Sequence, residues 1–481
     1  MIRKNPYREI LSGVEAQCSD ISKKIIKCEF GEITVLFIRQ LTDMELLFNQ
    51  IVKPIMTQAG SVDRLNADII ACRIVSTEIS IYKMDRNMIV ENLMNGMTVI
   101  LLSWDKNFLS ANIRSVAKKS IDSPELFYTI RGPKDCFTEN LDINLSLIRY
   151  RMKDPELKIN LLRVGRRTKS RVAVVYINDI ANETIVNDVL QRINAIDTDG
   201  IIASGELQSF LQNRRSVFFP QVGLVERSDM ACTGLLEGKI VIIAEGSGIA
   251  LIAPKTLAEF LWSCDDDYDH KYLAAFIKVL RAFALVFSFT LGSLYIALTS
   301  FHPDILPADY ILTLAKLRAN VPLNAFTTIF LLEIVVEILR EALLRVPRQI
   351  GPAIGIAGAI IIGQAAISSH VFDPLSLIIV SLSFLASFAM PDYTIMNPFR
   401  LLKFFLMIAT ATLGLFGFTI GFCVIITSIV SVNSFGVAYT APYAPYHRHD
   451  ALKSIFYSKN SASTRPAFLR TKDHTRGNGR K

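Results

Sequence analysis

Residues 33–38 read ITVLFI, and residues 172–177 read VAVVYI. Both are continuous apolar runs rich in β-branched residues, which predicts strands buried on both faces. Each run is followed by apolar residues at helical spacing, in Thr42–Met56 and in Asn182–Ile196. A strand followed by a helix therefore occurs twice, 139 positions apart.

A second pair of segments repeats at nearly the same distance. Asn92–Gly96 precedes the apolar run Met97–Leu102, and Gly234–Gly238, 142 positions further on, precedes Lys239–Ala244. In both cases we expect a short helix that ends at a left-handed glycine, followed by a buried strand. Two related α/β subdomains are the interpretation that we prefer, and a chance resemblance of two α/β units is the alternative.

Composition separates the chain into two halves. Apolar residues make up 51% and charged residues 20%, and the mean hydropathy is +0.35. Nearly every long uncharged run lies after residue 280. This indicates a soluble half joined to a membrane half, and it excludes disordered, collagen-like and small disulfide-rich proteins.

The predicted fold is an α/β soluble N-terminal half of two related subdomains, followed by an α-helical multi-pass membrane bundle. The expected division is an N-terminal polar segment 1–29, α/β subdomain 1 at 30–140, a linker 141–169, α/β subdomain 2 at 170–270, a transmembrane helical domain 271–435 and a basic C-terminal tail 436–481. The tail is basic because residues 447–481 carry nine Lys and Arg but two acids. Such a segment beside a membrane span is typical of an end that faces anionic lipid, and we expect no nucleic acid partner.

The soluble half shows no pattern of an enzyme. Gly246-Ser247-Gly248 follows a predicted strand, but an apolar run comes next, which favours a hairpin turn over a phosphate-binding loop. The acidic stretch Asp265–Asp269 lacks the glycine and the terminal acid of a calcium loop. The seven cysteines are scattered without a C-x-x-C pair. We therefore expect no catalytic residues, no metal and no cofactor.

Four uncharged segments are predicted to be membrane spans because each approaches the length needed to cross the hydrocarbon core. They are Ala282–Phe301, Ile350–Ile367, Leu375–Met390 and Phe404–Val432. The last has 29 residues, so it must tilt, kink or extend beyond the core. The number of spans stays open, and with it the side of the membrane on which the basic tail lies.

A fifth apolar segment, 326–346, carries charges on one side. At 100° per residue the charges fall within an arc of about 140°; they are Glu333, Glu337, Arg340, Glu341 and Arg345. Ionisable groups at membrane depth usually face a bundle interior or a watery cavity, often in pairs. This seam is predicted to line a pore or to couple to a partner, and a helix lying flat at the membrane surface is the alternative.

The segment after this helix is rich in small residues and contains a G-x-x-x-G pattern. Glycine lets helices approach closely within lipid, and small apolar residues can also form a narrow gate. The candidates for helix packing or a gate are Gly351, Gly355, Gly358 and Gly363.

The chain resembles the A subunits of the GerA-type spore germinant receptors, from about residue 30 to Pro445. Many landmarks carry this resemblance, among them VAVVYI at 172–177, Ile196–Ile201, Phe219-Pro220-Gln221, Phe301-His302-Pro303, Arg340-Glu341, Gly363–Ala366 and Ser434–Val437. Two positions depart from the family pattern, Ala438 after Phe-Gly-Val and Ser228 after Arg227.

The resemblance implies a subunit of a complex in the spore inner membrane, a multi-pass protein of the cell membrane. Its expected partners are a transporter-like B subunit, a lipoprotein C subunit, further copies of itself as a homo-oligomer, and the lipid bilayer. The expected function is to transduce germinant binding into ion release as an oligomeric channel-forming subunit, with Glu337 and Glu341 attracting cations. The alternative is a non-conducting, membrane-anchored scaffold that assembles the receptor complex.

Overall fold

The computed structural model describes residues 6–17, 20–28, 31–58, 66–114, 129, 131–212, 218–319, 321–345, 364, 368, 371–456 and 464–477.

The first sheet has five antiparallel strands in the order β1-β2-β4-β5-β3. Its strands are β1 (Ile21–Cys28), β2 (Gly31–Ile38), β3 (Ile79–Lys83), β4 (Thr98–Leu102) and β5 (Asn107–Ala111). The helices around it are α1 (Pro6–Gln17), α2 (Met44–Leu46), α3 (Lys53–Gln58), α4 (Ala67–Ile69) and α5 (Arg86–Met94), with π-helical turns at Leu47–Val52 and Ile70–Ile74.

The run ITVLFI lies in β2, where it is buried on both faces as predicted. Val35 points to one face, among the apolar residues of the helical stretch 44–58 and its neighbour α4. Leu36 points to the other face, where α1 and α5 cover the sheet. A strand covered by helices on both sides needs apolar residues at every position, which explains the uninterrupted run.

The second sheet repeats this strand order as β6-β7-β9-β10-β8. Its strands are β6 (Leu157–Val164), β7 (Ser170–Ile177), β8 (Gly223–Val225), β9 (Ile240–Ala244) and β10 (Ala250–Ala253). The helices are α6 (Leu141–Arg151) and α9 (Ser228–Glu237) on one face, and α7 (Glu183–Asn194) and α8 (Ser204–Leu211) on the other. The two sequence repeats thus occupy equivalent places, because ITVLFI and VAVVYI are each the second strand of a sheet.

Local signals explain the ends of several elements. The side chain of Asn182 caps α7 by accepting a hydrogen bond from Thr184 N at 3.0 Å. Gly238 ends α9 with φ +92°, and Gly96 follows α5 with φ +80°. Gly246, with φ +80°, lies in the turn between the antiparallel strands β9 and β10, so the predicted hairpin turn is present.

Two segments differ from the predicted division of the chain. Residues 141–169, expected to be a linker, contain α6 and β6, and β6 pairs with β7 along eight residue pairs from Leu157–Ile177 to Val164–Ser170. Residues 1–29, expected to be a polar segment, contain β1 at the edge of the first sheet. Both strands lie at sheet edges, where one side faces solvent and lysines are tolerated, so their apolar signal is weak.

The helical region begins beyond the second sheet. Its helices are α10 (Leu257–Phe260), α11 (Lys271–Ile296, continued as a π-helix over Ala297–Phe301), α12 (Ala308–Arg318), α13 (Ala325–Arg345), α14 (Pro374–Ser387), α15 (Met396–Val430) and α16 (Arg448–Phe456). Two described helical stretches, Lys271–Phe301 and Tyr393–Val430, are long and apolar enough to cross a bilayer.

Contacts give the direction of each helix relative to the second sheet. At the near end, which faces that sheet, Arg281 of α11 donates to Asp266 at 2.6 Å. At the far end, Tyr295 of α11 donates to Asp373, the residue that caps α14, at 3.2 Å. Helix α14 therefore starts at the far end and returns toward the near end.

Helix α15 reverses direction at Gly414. This residue has φ +62° and ψ −141°, a backbone conformation outside the helical range. A Cβ built on Gly417 would lie 2.0 Å from the carbonyl oxygen of Ala409, and one on Gly421 would lie 2.8 Å from Leu406. Residues eight apart in a straight helix are separated by about 12 Å. The helix is therefore a hairpin of two antiparallel arms, 396–413 and 415–430.

The hairpin returns the chain to the second sheet. Strands β11 (Asn433–Ser434) and β12 (Val437–Ala438) follow its second arm, and Phe435 and Val437 join the core of that sheet. Further along the tail, Arg465 Nε donates to Leu236 O at 2.9 Å. The described part of the basic tail therefore packs against the second sheet.

The hairpin makes a specific prediction for Gly417→Ala. In a straight helix this change would stabilise the protein by about 1 kcal/mol, because glycine is a poor helix former. In the hairpin it destabilises, because the new methyl group clashes with the backbone of Ala409. Thermal unfolding of the purified protein in detergent measures the sign. Gly205→Ala in α8, where a Cβ meets nothing within 4 Å, is the matched control that should stabilise.

Candidate functional site

The charged seam of α13 packs against the first arm of α15. Glu333 is fully buried, and its Oε2 accepts a hydrogen bond from Lys403 Nζ at 2.5 Å. Lys403 is also buried, at 5% exposure. A buried charge is tolerable only when an opposite charge and hydrogen bonds compensate its lost hydration. This pair therefore joins α13 to α15 through two residues that are 70 positions apart in sequence.

Glu337, one turn further along α13, contacts three cations. Arg400 donates to its Oε2 through Nε at 3.0 Å and through Nη2 at a shorter distance. Arg340 Nη1 lies 3.4 Å from its Oε1, and Lys403 Nζ lies 3.9 Å from it. In this state the carboxylate is neutralised by the protein's own cations.

Arg340 connects the seam to a third helix. Its Nη2 donates to Ser387 Oγ of α14 at 3.0 Å, and its guanidinium lies 5.1 Å from the ring centre of Phe384. Two buried atoms in the cluster, Glu333 Oε1 and Arg340 Nε, have no hydrogen-bond partner among the described residues. The cluster is therefore tightly paired but not fully satisfied within the described part of the chain.

The outer end of the seam is different. Glu341 and Arg345 pair along the helix at 2.7 Å, and their side chains are 59% and 81% exposed. Of the five predicted seam residues, three thus form a buried cluster with α14 and α15, and two form an exposed pair. The other predicted set, Gly351, Gly355, Gly358 and Gly363, lies outside the described residues.

A second buried ion pair fastens the base of the hairpin to the second sheet. Lys255, just beyond β10, donates to Asp392 Oδ2 at 2.5 Å. The other oxygen, Oδ1, accepts from Thr394 N at 3.0 Å. Burial raises the pKa of the Asp392 carboxyl, but the Lys255 ammonium and the hydrogen bonds outweigh it, so the net pKa lies below the usual 3.8.

An aromatic cluster adjoins this latch, the pair Lys255–Asp392, because Lys255 Nζ lies 4.2 Å from the ring centre of Phe260 in that cluster. Phe219 comes from the soluble half, Phe399 from the hairpin and Tyr439 from the tail. The ring centre of Phe219 lies 5.8 Å from that of Phe399 and 6.2 Å from that of Tyr439. All three rings are buried. The second sheet, the hairpin and the tail therefore meet in one packed junction, so displacement of one element strains the others.

The acidic stretch before α11 is occupied by its own chain. Asp266 binds Arg281, and Asp269 binds Arg131 at 3.0 Å. Within the described ranges no group of three or more His, Cys, Asp or Glu side chains is arranged to hold a metal ion.

The profile of the Bacillus/Clostridium GerA spore germination protein family matches residues 9–468. This chain belongs to the GerA family. The match confirms the resemblance found in the motifs, and it extends beyond the range from residue 30 to Pro445, into the basic tail.

Individual proteins of Bacillus are similar over most of the chain. Spore germination protein B1 of Bacillus subtilis (strain 168) is 32% identical over 409 residues, which cover 85% of this chain and 84% of that protein. Spore germination protein GerLA of Bacillus cereus is 30% identical over 447 residues, covering 93% and 91%. The uncharacterized membrane protein YfkQ of Bacillus subtilis (strain 168) is 30% identical, covering 82% and 76%.

Among solved structures, the chain is similar to the crystal structure of the N-terminal domain of the A subunit of the Bacillus megaterium spore germinant receptor GerK3. The similarity has a TM-score of 0.39 and 24% identity, and it covers 52% of this chain and 95% of that one.

The sequence did not indicate the partners of the seam. Arg400 and Lys403 lie just before the long uncharged run, where they are typical of charges that flank a span. Arg400 and Lys403 are three residues apart, and Glu333 and Glu337 are four apart, so the two cations share one helix face and the two acids share another. This matched spacing of opposite charges could have indicated that the two faces meet.

The buried pair predicts a double-mutant outcome. Lys403→Met alone leaves Glu333 uncompensated and should destabilise the protein by about 3–5 kcal/mol. Adding Glu333→Leu removes the orphan charge and should recover most of that loss. Unfolding in detergent micelles measures both. Glu341→Gln in the exposed pair is the control and should change stability by at most about 1 kcal/mol; an equally large loss there would contradict the division of the seam.

The latch predicts a dependence on pH. Because the pKa of Asp392 is lowered in the folded state, its stabilisation is present above the unfolded pKa and is lost as the pH falls through the folded pKa. Asp392→Asn should therefore destabilise by about 1.5–3 kcal/mol at neutral pH. The difference in unfolding midpoint between the two proteins should stay constant down to about pH 5 and shrink only below 3.8. A difference that first shrinks near neutral pH would contradict this assignment.

Proposed function

We propose that this GerA-family protein is the membrane subunit of a spore nutrient germinant receptor, and that it transmits germinant binding on a partner chain to the release of ions. Its partners would be a transporter-like B subunit, a lipoprotein C subunit and further copies of itself in the spore inner membrane. The multi-pass arrangement belongs to this proposal. Each arm of the α15 hairpin is about 24–27 Å long, close to the thickness of the hydrocarbon core.

One observation carries the proposal. The latch and the seam lie on the same structural element, because Asp392 precedes the first arm of α15 and Arg400 and Lys403 lie within it. A movement of the second sheet would be transmitted through the latch and would shift the start of this arm, next to Asp392. Such a shift would break or exchange the ion pairs with Glu333 and Glu337.

Ion pairs suit this role because they have discrete alternative arrangements. A buried carboxylate that loses one cation must find another or gain water, so the element is bistable rather than continuously deformable. In the observed arrangement Glu337 is occupied by protein cations. Opening of these pairs would expose a carboxylate to a passing cation, which gives the seam a role in coupling and then in conduction.

The scaffold is the second candidate, and the same cluster favours it in one respect. Within the described part of the chain, Glu333, Glu337 and Arg340 bind neighbouring helices, so they hold a bundle together. Under this alternative the helices anchor the α/β half, which assembles the complex, and conduction belongs to another subunit. The glycines 351, 355, 358 and 363 would then serve packing alone.

Cation release from spores can compare a variant of the buried cluster with a variant of the exposed pair, and so tests the coupling role of the cluster. Glu337→Gln should change the rate of germinant-triggered cation release about tenfold or more, since it removes the charge that three cations share. The cation-attracting role expected of both carboxylates is proposed here for Glu337 alone, because Glu341 lies one turn away in the exposed pair with Arg345. Glu341→Gln is therefore a chemically matched control and should change the rate less than twofold. Equal rates for both variants and the unaltered protein, at equal protein levels, would reject the coupling role.

A reconstituted system distinguishes the two candidates. Liposomes that carry the protein with the B and C subunits should release cations when germinant is added if this chain conducts. Flux that persists unchanged in Glu337→Gln liposomes, or that the B subunit supports without this chain, would favour the scaffold.

A further inference from the structure

Two cavities adjoin where α11 leaves the second sheet. The first, of about 90 Å³, lies between α10, α16 and the tail. The second, of about 310 Å³, continues along α11 away from the sheet. They share Ala258, Trp262, Lys278 and Ser454, so they form one continuous site with two parts.

The first part contains basic side chains from three elements. These are Lys278 of α11, Lys453 of α16 and Arg476 of the tail. Lys278 and Lys453 each donate to a neutral oxygen, Ser454 O at 3.0 Å and Thr464 Oγ1. Arg476 Nε is buried without a hydrogen-bond partner among the described residues. A buried guanidinium donor left in this way is a strong site for an anion.

The acids of this part are held by other groups. Glu237 and Glu259 both bind Lys239, at 3.0 Å for Glu237. Asp450 accepts a hydrogen bond from Ala467 N at 2.8 Å. Burial lowers the pKa of the Lys453 ammonium and of the Arg476 guanidinium, and it outweighs the attraction of Asp450 for Lys453 and of Glu237 for Arg476. A bound anion would compensate the burial of both cations.

The second part is apolar and elongated. It is lined by the exposed face of α11, including Val279, Ala282, Phe283 and Val286. Phe283 is 57% exposed. The stretch Lys271–Phe301 to which these residues belong is one of the two described stretches that are long and apolar enough to cross a bilayer. Trp262 lies where the two parts meet and Tyr443 lines the second part, and such aromatic residues are typical of the membrane–water interface.

We propose that this continuous site binds one anionic phospholipid, with its phosphate between Arg476, Lys453 and Lys278 and an acyl chain along Ala282, Phe283 and Val286. The inference rests on the membrane placement of α11 that belongs to the proposed function. The lipid would connect the tail, α11 and the second sheet at a junction separate from the latch. A free phosphate shares the headgroup chemistry, but it would leave the groove along α11 unoccupied.

Tryptophan quenching tests the proposal directly. The chain has two tryptophans, and Trp104→Phe leaves Trp262 at the meeting point of the two parts. The full-length protein is placed in phosphatidylcholine nanodiscs that contain a small fraction of phosphatidylglycerol brominated on its acyl chains. We expect saturable quenching of Trp262, and much weaker quenching by the same fraction of brominated phosphatidylcholine.

Variants assign the two parts of the site. Arg476→Gln and Lys453→Gln should each raise the half-saturating fraction of phosphatidylglycerol about tenfold, the effect of removing one charged hydrogen bond. Arg470→Gln removes the same charge from an exposed position of the tail and should change nothing. Ala282→Phe fills the groove without touching a charge and should abolish the quenching.

Each alternative has its own result. Equal quenching by the two brominated lipids, or no effect of the charge variants, would overturn the lipid site. Displacement of the brominated phosphatidylglycerol by millimolar inorganic phosphate would overturn it too and identify a free-phosphate site. Nanodiscs made entirely of brominated phosphatidylcholine test the membrane placement alone. Absence of quenching there would reject the placement of α11 in the membrane, which belongs to the proposed function. Quenching there, combined with equal quenching by the two brominated lipids in the mixed nanodiscs, would reject the lipid site only.

Discussion

The reversal of the chain at Gly414 is the constraint on which the helical region depends. A side chain at φ +62° would be strained, and a Cβ there would lie 2.9 Å from the ring of Phe301 at the end of α11. The reversal lets two apolar arms pack on each other through Gly417 and Gly421. It also brings both ends of the hairpin to the second sheet, so that the latch, the aromatic junction and the tail can form there.

Compensation of buried charge determines how the remaining helices are arranged. Glu333 could not lie in an apolar layer without Lys403, and the two meet because the first arm of α15 runs antiparallel to α13 beside it. The cluster around Glu337 extends this pairing to Arg400 and Arg340 and reaches α14 through Ser387. The ion pairs and the latch thus form a chain of contacts from the second sheet into the bundle. The coupling role proposed for this GerA-family protein would use this connection.

Much of the α/β half could be predicted from the sequence, because local signals determine it. The runs at 33–38 and 172–177 are strands, Asn182 caps a helix and Gly246 lies in a turn. The edge strands β1 and β6 were missed because one side of each faces solvent and their residues are mixed. In the seam, helical spacing identified Glu333, Glu337 and Arg340, but not their partners Lys403 and Arg400 on α15. Those partners depend on how helices distant in sequence pack together. That packing depends on Gly414, and no pattern in the apolar run indicated its positive φ.

The distance between the two arms of α15 tests the account most directly. Leu401 and Ile426, 63% and 45% exposed, can be replaced by cysteine and spin-labelled after the seven native cysteines, among them the exposed Cys72 and Cys423, are changed to serine. Packed helices lie about 8–10 Å apart, so pulsed electron paramagnetic resonance should give a label separation below about 20 Å. A straight helix would separate residues 25 positions apart by about 37 Å. A distribution centred near that longer distance would contradict the hairpin, and with it the return of the tail and the pairing of the seam.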